Sequence, residues 1–446
     1  MPYGNPWGNY GASSTNYYDT VPNTGMTRSY DFTISRGTIK PDGVEKQGIL
    51  INGGFPGPQI EANWGDWISV TVHNALEDEG TSLHWHGLLQ KETPYMDGVP
   101  SVQQCPIAPG STFTYRFRAD LYGTSWYHSH YSAQYAGGAL GPMIIHGPLP
   151  DGVDYDSDYP VLLGDWYHKD YFSIVEQTMA PASAHLPPPT SNNSLINGKM
   201  NYPCANTTQT CTPNAGVSKF SFTSGKKYRL RLINSSGEAI IKFSIDNHNM
   251  TVFANDFVQI QPYSTNVVTL GVGQRSDVIV EATGNSTDAV WMRSTISQIC
   301  SANDGISPEG VAAIYYENAN DTAVPTTTPI YTQEQLNYCG NDKLTDTKPY
   351  LALTPASNPA ATQNIDITFK NNHTDGVSGW NLWEMNNSTF RGDYNDPVLL
   401  EAKLGNSNFD PAWNVYNFGS NNTVRLVIYN YASFASHPMH MHGHNL

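Results

Sequence analysis

Charge is scarce in this chain of 446 residues: Asp, Glu, Lys and Arg make up 14% of it, against about 25% in an average soluble protein. Bases are the scarcer half, 23 Lys and Arg against 39 Asp and Glu, for a formal charge of -16. So little positive charge argues against nucleic acid or an anionic membrane surface as the main partner. No run of about 18 apolar residues occurs, so no transmembrane span is expected. Long amphipathic helical stretches are missing too. Cysteines number only five, an odd count that is awkward for a secreted protein. The start, Met1-Pro2-Tyr3-Gly4-Asn5, is polar and lacks the apolar stretch of a signal peptide.

Aromatic residues, by contrast, are plentiful: 12% of the chain, including 27 Tyr and 10 Trp, which rules out a disordered polymer. Asn-x-Ser/Thr sequons stand at Asn192, Asn206, Asn234, Asn249, Asn285, Asn320, Asn372, Asn386, Asn387 and Asn421. Ten of them favour a glycosylated, secreted protein whose signal peptide is absent from this chain. The dominant pattern is short alternating segments broken by Gly, Pro, Asn and Asp, which predicts strands and turns. Examples are Phe113-Thr114-Tyr115-Arg116-Phe117-Arg118, Tyr228-Arg229-Leu230-Arg231-Leu232 and Val424-Arg425-Leu426-Val427-Ile428. The fold class is all-β, built as sandwiches or barrels.

Length alone predicts about three domains. Pro- and Asp-rich breaks from Gly147 to Pro160 and from Asn318 to Pro349 divide the chain accordingly, while Pro181 to Ser194 is expected to be a surface loop. The predicted boundaries are an N-terminal extension over 1–26 and domains over 27–150, 151–325 and 326–446. An internal repeat supports the division. A strand ends in Asn at Asn74, Asn234 and Asn430, and ten residues further come His84, Ser244 and His440. Twelve residues after each Asn come His86, Asp246 and His442. The outer units thus carry His-x-His where the middle unit carries Ser-x-Asp, so metal chemistry is expected only in the outer two.

Seven of the 14 histidines fall in three short clusters: His84 and His86; His128 and His130; and His437, His440 and His442. On a strand, side chains at i and i+2 share a face, so each His-x-His aims two imidazoles at one point. Imidazole suits zinc, copper, iron and nickel, and divalent affinity peaks at copper. No Cys-x-x-Cys accompanies the histidines, which disfavours structural zinc, and no interleaved carboxylates point to a di-iron centre. Six paired imidazoles exceed the need of one metal. They predict a polynuclear copper cluster between the first and third units.

With these motifs in view, the chain resembles the multicopper oxidases, and among them the fungal laccases of ascomycete type. The likeness rests on the three histidine clusters, on Asn52-Gly53-Gly54-Phe55-Pro56-Gly57-Pro58, on Gly123-Thr124-Ser125-Trp126-Tyr127 and on Gly273-Gln274-Arg275. It implies three cupredoxin-like β-barrels and four coppers, one type 1, one type 2 and two type 3. By resemblance, His84 and His440 bind the type 2 copper. His86, His128, His130 and His442 supply four ligands of the type 3 pair, and His437 one imidazole of type 1. His444 lies beyond the ligand positions. Trp85 and Tyr127 are expected to pack around the ligands, and Asp256 aligns with the acid that accepts the phenolic proton in laccases. The activity implied is one-electron oxidation of phenols or other aromatic donors, coupled to four-electron reduction of dioxygen to water. A monomer is expected, with no nucleic acid or membrane partner.

One departure stands out. The family continues into a His-Cys-His segment that completes type 1 and type 3, whereas this chain stops at Leu446 and holds no such tripeptide. The third domain is therefore expected to be incomplete, and the chain, as a truncated form, inactive alone. Cys204 and Cys211 lie close enough in sequence to pair. Cys300 and Cys339 resemble a laccase disulfide, and Cys105 resembles one whose partner lies near the missing C-terminus. The alternatives are a pathway-specific phenol-coupling oxidase, a ferroxidase, an ascorbate oxidase or a non-catalytic copper-binding protein.

Overall fold

Apolar–polar alternation makes strands because successive side chains point to opposite faces of a sheet. The computed structural model describes residues 5–181, 184, 186–371, 381–420, 423–432 and 437–445. All three alternating segments singled out above lie in strands, within Thr112–Arg118, Lys227–Asn234 and Val424–Asn430. Among the described residues α-helix is limited to Tyr171–Thr178, Gln333–Asn337 and Val398–Lys403. The molecule is all-β.

The first unit is a pair of four-stranded sheets. One orders Lys46–Ile51, Thr27–Ile39, Trp67–Asn74 and Thr112–Arg118; the other orders Ile60–Asn63, Leu140–His146, Gly123–His128 and His84–Trp85. Phe32, Ile34, Val70, Val72, Phe117 and Trp85 fill the space between them. The middle unit packs a six-stranded sheet on a five-stranded one around Leu230, Leu232, Phe243 and Val278. A three-stranded sheet of Asn381–Met385, Ala361–Asn371 and Val424–Asn430 represents the third. Residues 5–26 are not a loose arm: Trp7, Tyr17 and Tyr18 pack on the first core, and Thr24 Oγ1 donates to Asp66 Oδ1 at 2.6 Å.

The threefold repeat is repeated atom by atom. Strands end at Asn74, Asn234 and Asn430, each paired in parallel with an earlier strand at Ile34, Leu163 and Ile367. Each Asn side chain accepts from the backbone N–H two residues on, at Leu76, Ser236 and Ala432. The amides of Asn74 and Asn234 also donate to the carbonyls five residues on, at Glu79 and Ala239. A short amide side chain closes the turn that a strand alone leaves with unpaired backbone groups. The Asn234 sequon is consequently buried and committed to structure. Asn206, Asn249, Asn285, Asn320 and Asn387 are exposed, whereas Asn372 and Asn421 lie outside the described residues.

Several strands depart from simple alternation, Gly123–His128, Leu140–His146 and Ile241–Ile245 among them. Lys227–Asn234 buries both faces, because its polar side meets another part of the protein instead of water. Arg229 pairs with Asp277 at 2.6 Å, and Arg231 Nη1 donates to Thr124 of the first unit at 3.0 Å. The disulfides Cys204–Cys211 and Cys300–Cys339 are formed, and Cys105 is free and exposed. No helix among the described residues is long and apolar enough to cross a membrane.

Candidate metal centre

The strand His84–Trp85 pairs antiparallel with Gly123–His128, setting His84 opposite His128 and Trp85 opposite Tyr127. Strand periodicity then separates the faces. Trp85 and Tyr127 turn into the barrel core, against Phe117 and Phe32 at 4.7 and 5.2 Å between ring centroids. The histidines point the other way. The ring that packs on them is Trp126, 4.2 Å from His128 and 5.3 Å from His86. That position shares the face of His128 by the same i, i+2 rule, so strand periodicity points to Trp126 and not to the expected Trp85 and Tyr127.

Two imidazoles of the third unit complete the group. His440 stacks on His86 at 4.2 Å with 11° between the rings, and His442 lies 4.1 Å from His84 and 5.2 Å from His130. His440 is itself exposed, with its ring stacked on that of His86. Six predicted residues therefore meet, three pairs from two units. His437 does not join them; its ring lies 4.4 Å from that of Trp383, and both residues are exposed. His444 donates to or accepts nothing in the group beyond a contact of Nδ1 with the His442 carbonyl at 3.1 Å.

The donor atoms are presented as lone pairs. His84 Nδ1 lies 2.8 Å from the Asp97 carbonyl and His128 Nδ1 lies 3.0 Å from that of Ser129. A carbonyl only accepts, so Nδ1 carries the proton and Nε2 is left bare. His84 Nε2 is buried with no hydrogen-bond partner. His128 Nε2 faces His86 Nδ1 at 3.4 Å. Candidate ligand atoms of His84, His86 and His128 lie within 4.8 Å of one another, as do those of His84, His440 and His442. An orphaned buried nitrogen amid converging imidazoles fits a soft or borderline transition metal such as copper.

Electrostatics favours the neutral form of His86, His128, His130, His440 and His442. Burial lowers the pKa of His86, with further lowering from Arg275 and His440. Burial and His84 lower His128 well below the usual value and bring His130 to about 3. His440 also falls to about 3, through burial and then His442. Asp97 behaves oppositely. Burial alone would raise its carboxyl, but His84 and His442 outweigh it and hold the group well below the carboxylate range. It accepts from His442 Nδ1 at 2.7 Å and lies 3.1 Å from His84 Nδ1, so one carboxylate orients an imidazole from each outer unit. Sequence reasoning missed it, for nothing in its spacing from His84 marks it. Gln134 was missed likewise: its carbonyl accepts from Ser129 and Thr81 hydroxyls at 2.7 and 2.8 Å, behind the second His pair.

The middle unit shows what replaces the cluster. Ser244 stands opposite Arg293 in register, as His84 stands opposite His128. Asp246 then takes two bonds from Arg293, at 2.8 and 2.7 Å. Trp291-Met292-Arg293-Ser294-Thr295 thereby matches Trp126-Tyr127-His128-Ser129-His130, with an ion pair in place of imidazoles. The middle unit also reaches the cluster. Gly273 has φ +79, and a Cβ there would sit 2.9 Å from His86. Asp256, with φ +53, lies away from the imidazoles; it pairs with Arg275 at 2.7 Å and opens on a cleft of about 470 Å³ that Tyr17, Tyr18, Leu351 and Leu353 also line.

Comparison with known proteins gives these features a setting. Three family models described as multicopper oxidase match residues 33–150, 157–319 and 354–446. The oxidoreductase OpS5 of Beauveria bassiana is 40% identical over 450 residues, covering 98% of this chain and 73% of that protein. Laccase-2 of Botryotinia fuckeliana is 38% identical over 446 residues, with the same coverage of 98% and 73%. The crystal structure of laccase from Botrytis aclada superposes with a TM-score of 0.89 at 35% identity, over 100% of this chain and 80% of that one.

Proposed function

The chain belongs to the multicopper oxidase family, an oxidoreductase family whose cofactor is copper, and from that premise we propose the following roles for its residues. His84 and His440 hold the type 2 copper; His86, His128, His130 and His442 supply ligands to the type 3 pair; His437 contributes one imidazole to type 1. The observation that carries this reading is the convergence of six imidazoles from two units, with His84 Nε2 buried and without a partner. Separation of His437 from the six supports a second, distinct site for electron entry.

Copper, when bound, supplies the one-electron steps and the store of electrons that dioxygen requires. The protein's part is to offer neutral imidazoles, to orient them and to keep water away. Asp97 and the Ser129 carbonyl fix the protons on the outward nitrogens, so no proton need be displaced before a ligand bond forms. Trp126 shields the His86–His128 edge. At the cleft, Asp256 accepts the phenolic proton as the donor loses its electron. Four such oxidations deliver the four electrons, and with four protons dioxygen becomes two waters.

The exposed sequons favour passage through a secretory pathway to an extracellular location. The domain boundaries that accompany this reading are 27–150, 151–325 and 326–446, after an extension over 1–26. Oxygen uptake by copper-loaded protein that also carries the family's His-Cys-His segment, measured against phenol consumed, tests the function. Four phenols per dioxygen without accumulated peroxide is expected. Peroxide as the stoichiometric product, or full copper content after His84→Ala and His442→Ala together, would overturn it.

A further inference from the structure

Arg275 is a buried cation that the roles above leave unused. Its side chain is 3% exposed. Nε donates to the Thr124 carbonyl at 3.1 Å, Nη1 donates to the Gly273 carbonyl at 3.1 Å, and Nη1 also pairs with Asp256 Oδ1 at 2.7 Å. Nη2 is buried and has no hydrogen-bond partner. It presses so closely on the residue after His86 that a Cβ on Gly87 would lie 2.6 Å from it.

A guanidinium does not shed its proton in a protein, so this charge is permanent. Burying it with one nitrogen unsatisfied is costly. A tie between the first and middle units would need only neutral donors to the carbonyls of Thr124 and Gly273. A full charge is kept instead, with its ion-pair partner Asp256 on the cleft side and its bare nitrogen on the imidazole side. The backbone leading into Arg275 also lies against the cluster, since a Cβ on Gly273 would stand 2.9 Å from the His86 ring.

We propose that Arg275 is a positioning residue of the copper centre: its charge, offset by Asp256, sets how strongly the centre attracts electrons and anions. The inference rests on the copper-cluster reading and on Asp256 facing the phenol. While Asp256 is ionised, part of the positive field is cancelled. When the phenol O–H bond breaks, its proton neutralises the Asp256 carboxylate and its electron enters the enzyme. The cancellation ends, and the cluster meets the full charge of Arg275 as the electron becomes available. Release of the proton from partly exposed Asp256 to water restores the starting state.

Azide, a small anion that binds cupric ions, reads this field without turnover. In copper-loaded protein, Arg275→Met is expected to weaken azide binding about tenfold, and Asp256→Asn to tighten it several-fold, on the scale of one charge in a poorly screened site. Arg275→Lys, which keeps the charge, should fall between Arg275→Met and the parent. If Arg275→Met does not fold, Asp256→Asn and Arg275→Lys carry the test. Shifts of the same sign for Arg275→Met and Asp256→Asn would overturn the inference, as would an Asp256→Asn affinity unchanged within about twofold at full copper content. Absence of copper from the six histidines in the parent protein would instead overturn the cluster reading on which it rests.

Discussion

Asp97 and Asp256 are two carboxylates that the fold treats in opposite ways. Asp97 is sealed between His84 and His442 and is kept ionised by them. Asp256 sits in a left-handed turn, about a third exposed, with Arg275 on one side and the cleft on the other. Only the second is placed to meet a donor and give a proton back to water. In protein that carries the His-Cys-His segment, Asp256→Asn should therefore lower kcat/KM for phenols by about 10²-fold, the usual worth of a positioned base, while sparing donors that lose an electron without a proton. Steady-state comparison of the two donor classes checks this, and equal loss for both would remove the role. At this scale the sequence was legible where local periodicity carries the information. His-x-His is such a case, since strand geometry alone aims both rings. The roles of Asp97, Gln134 and Arg275 were not legible, because their contacts form only when tertiary packing brings distant segments together.

Among the elements, the turn that ends at Arg275 does more than connect strands. Gly273 takes φ +79 and lets the backbone approach His86 so closely that a Cβ would stand 2.9 Å from the ring. Gly225 has nearly the same φ, +77, with open space around it. The pair separates backbone strain from contact with the ligand. Alanine at either position should cost about 1–2 kcal/mol for the left-handed conformation, read as a similar fall in thermal stability. Gly273→Ala alone should also lower bound copper, measured by metal analysis on folded protein, because His86 must move. Equal copper content in the two variants would show that the turn does not position the ligand. The repeat itself was visible in the spacing of Asn74, Asn234 and Asn430, and the structure adds its cause in the side-chain bonds that close each turn. Arg293, the middle unit's counterpart of His128, was hidden by a different loop length between its two strands and emerged only from strand register.

For the whole molecule, three β units were readable from turn residues and alternation, but the burial of both faces of Lys227–Asn234 was not. Sequence periodicity shows which residues share a face; it does not show whether water or another unit covers it. The same burial governs the response of the copper-free protein to acid. His130 and His440 titrate near 3 in the folded chain, and His86, His128 and His442 are lowered as well. An unfolded histidine takes up its proton near 6.5. Between these limits the unfolded chain binds more protons than the folded one, so stability falls as pH falls, from about 6.5 towards 3. Asp97 acts in the same direction further down, since its depressed pKa contributes stability that disappears once the carboxylate is protonated. Thermal melts of copper-free protein should therefore show Tm declining steadily from pH 7 to pH 4. Copper should raise Tm at each pH by binding only the folded state, and the gap should close in acid as protons compete for the same lone pairs. A copper-free Tm that stays level across this range would mean that these five imidazoles are not held neutral by the fold, and the cluster would lose its physical basis.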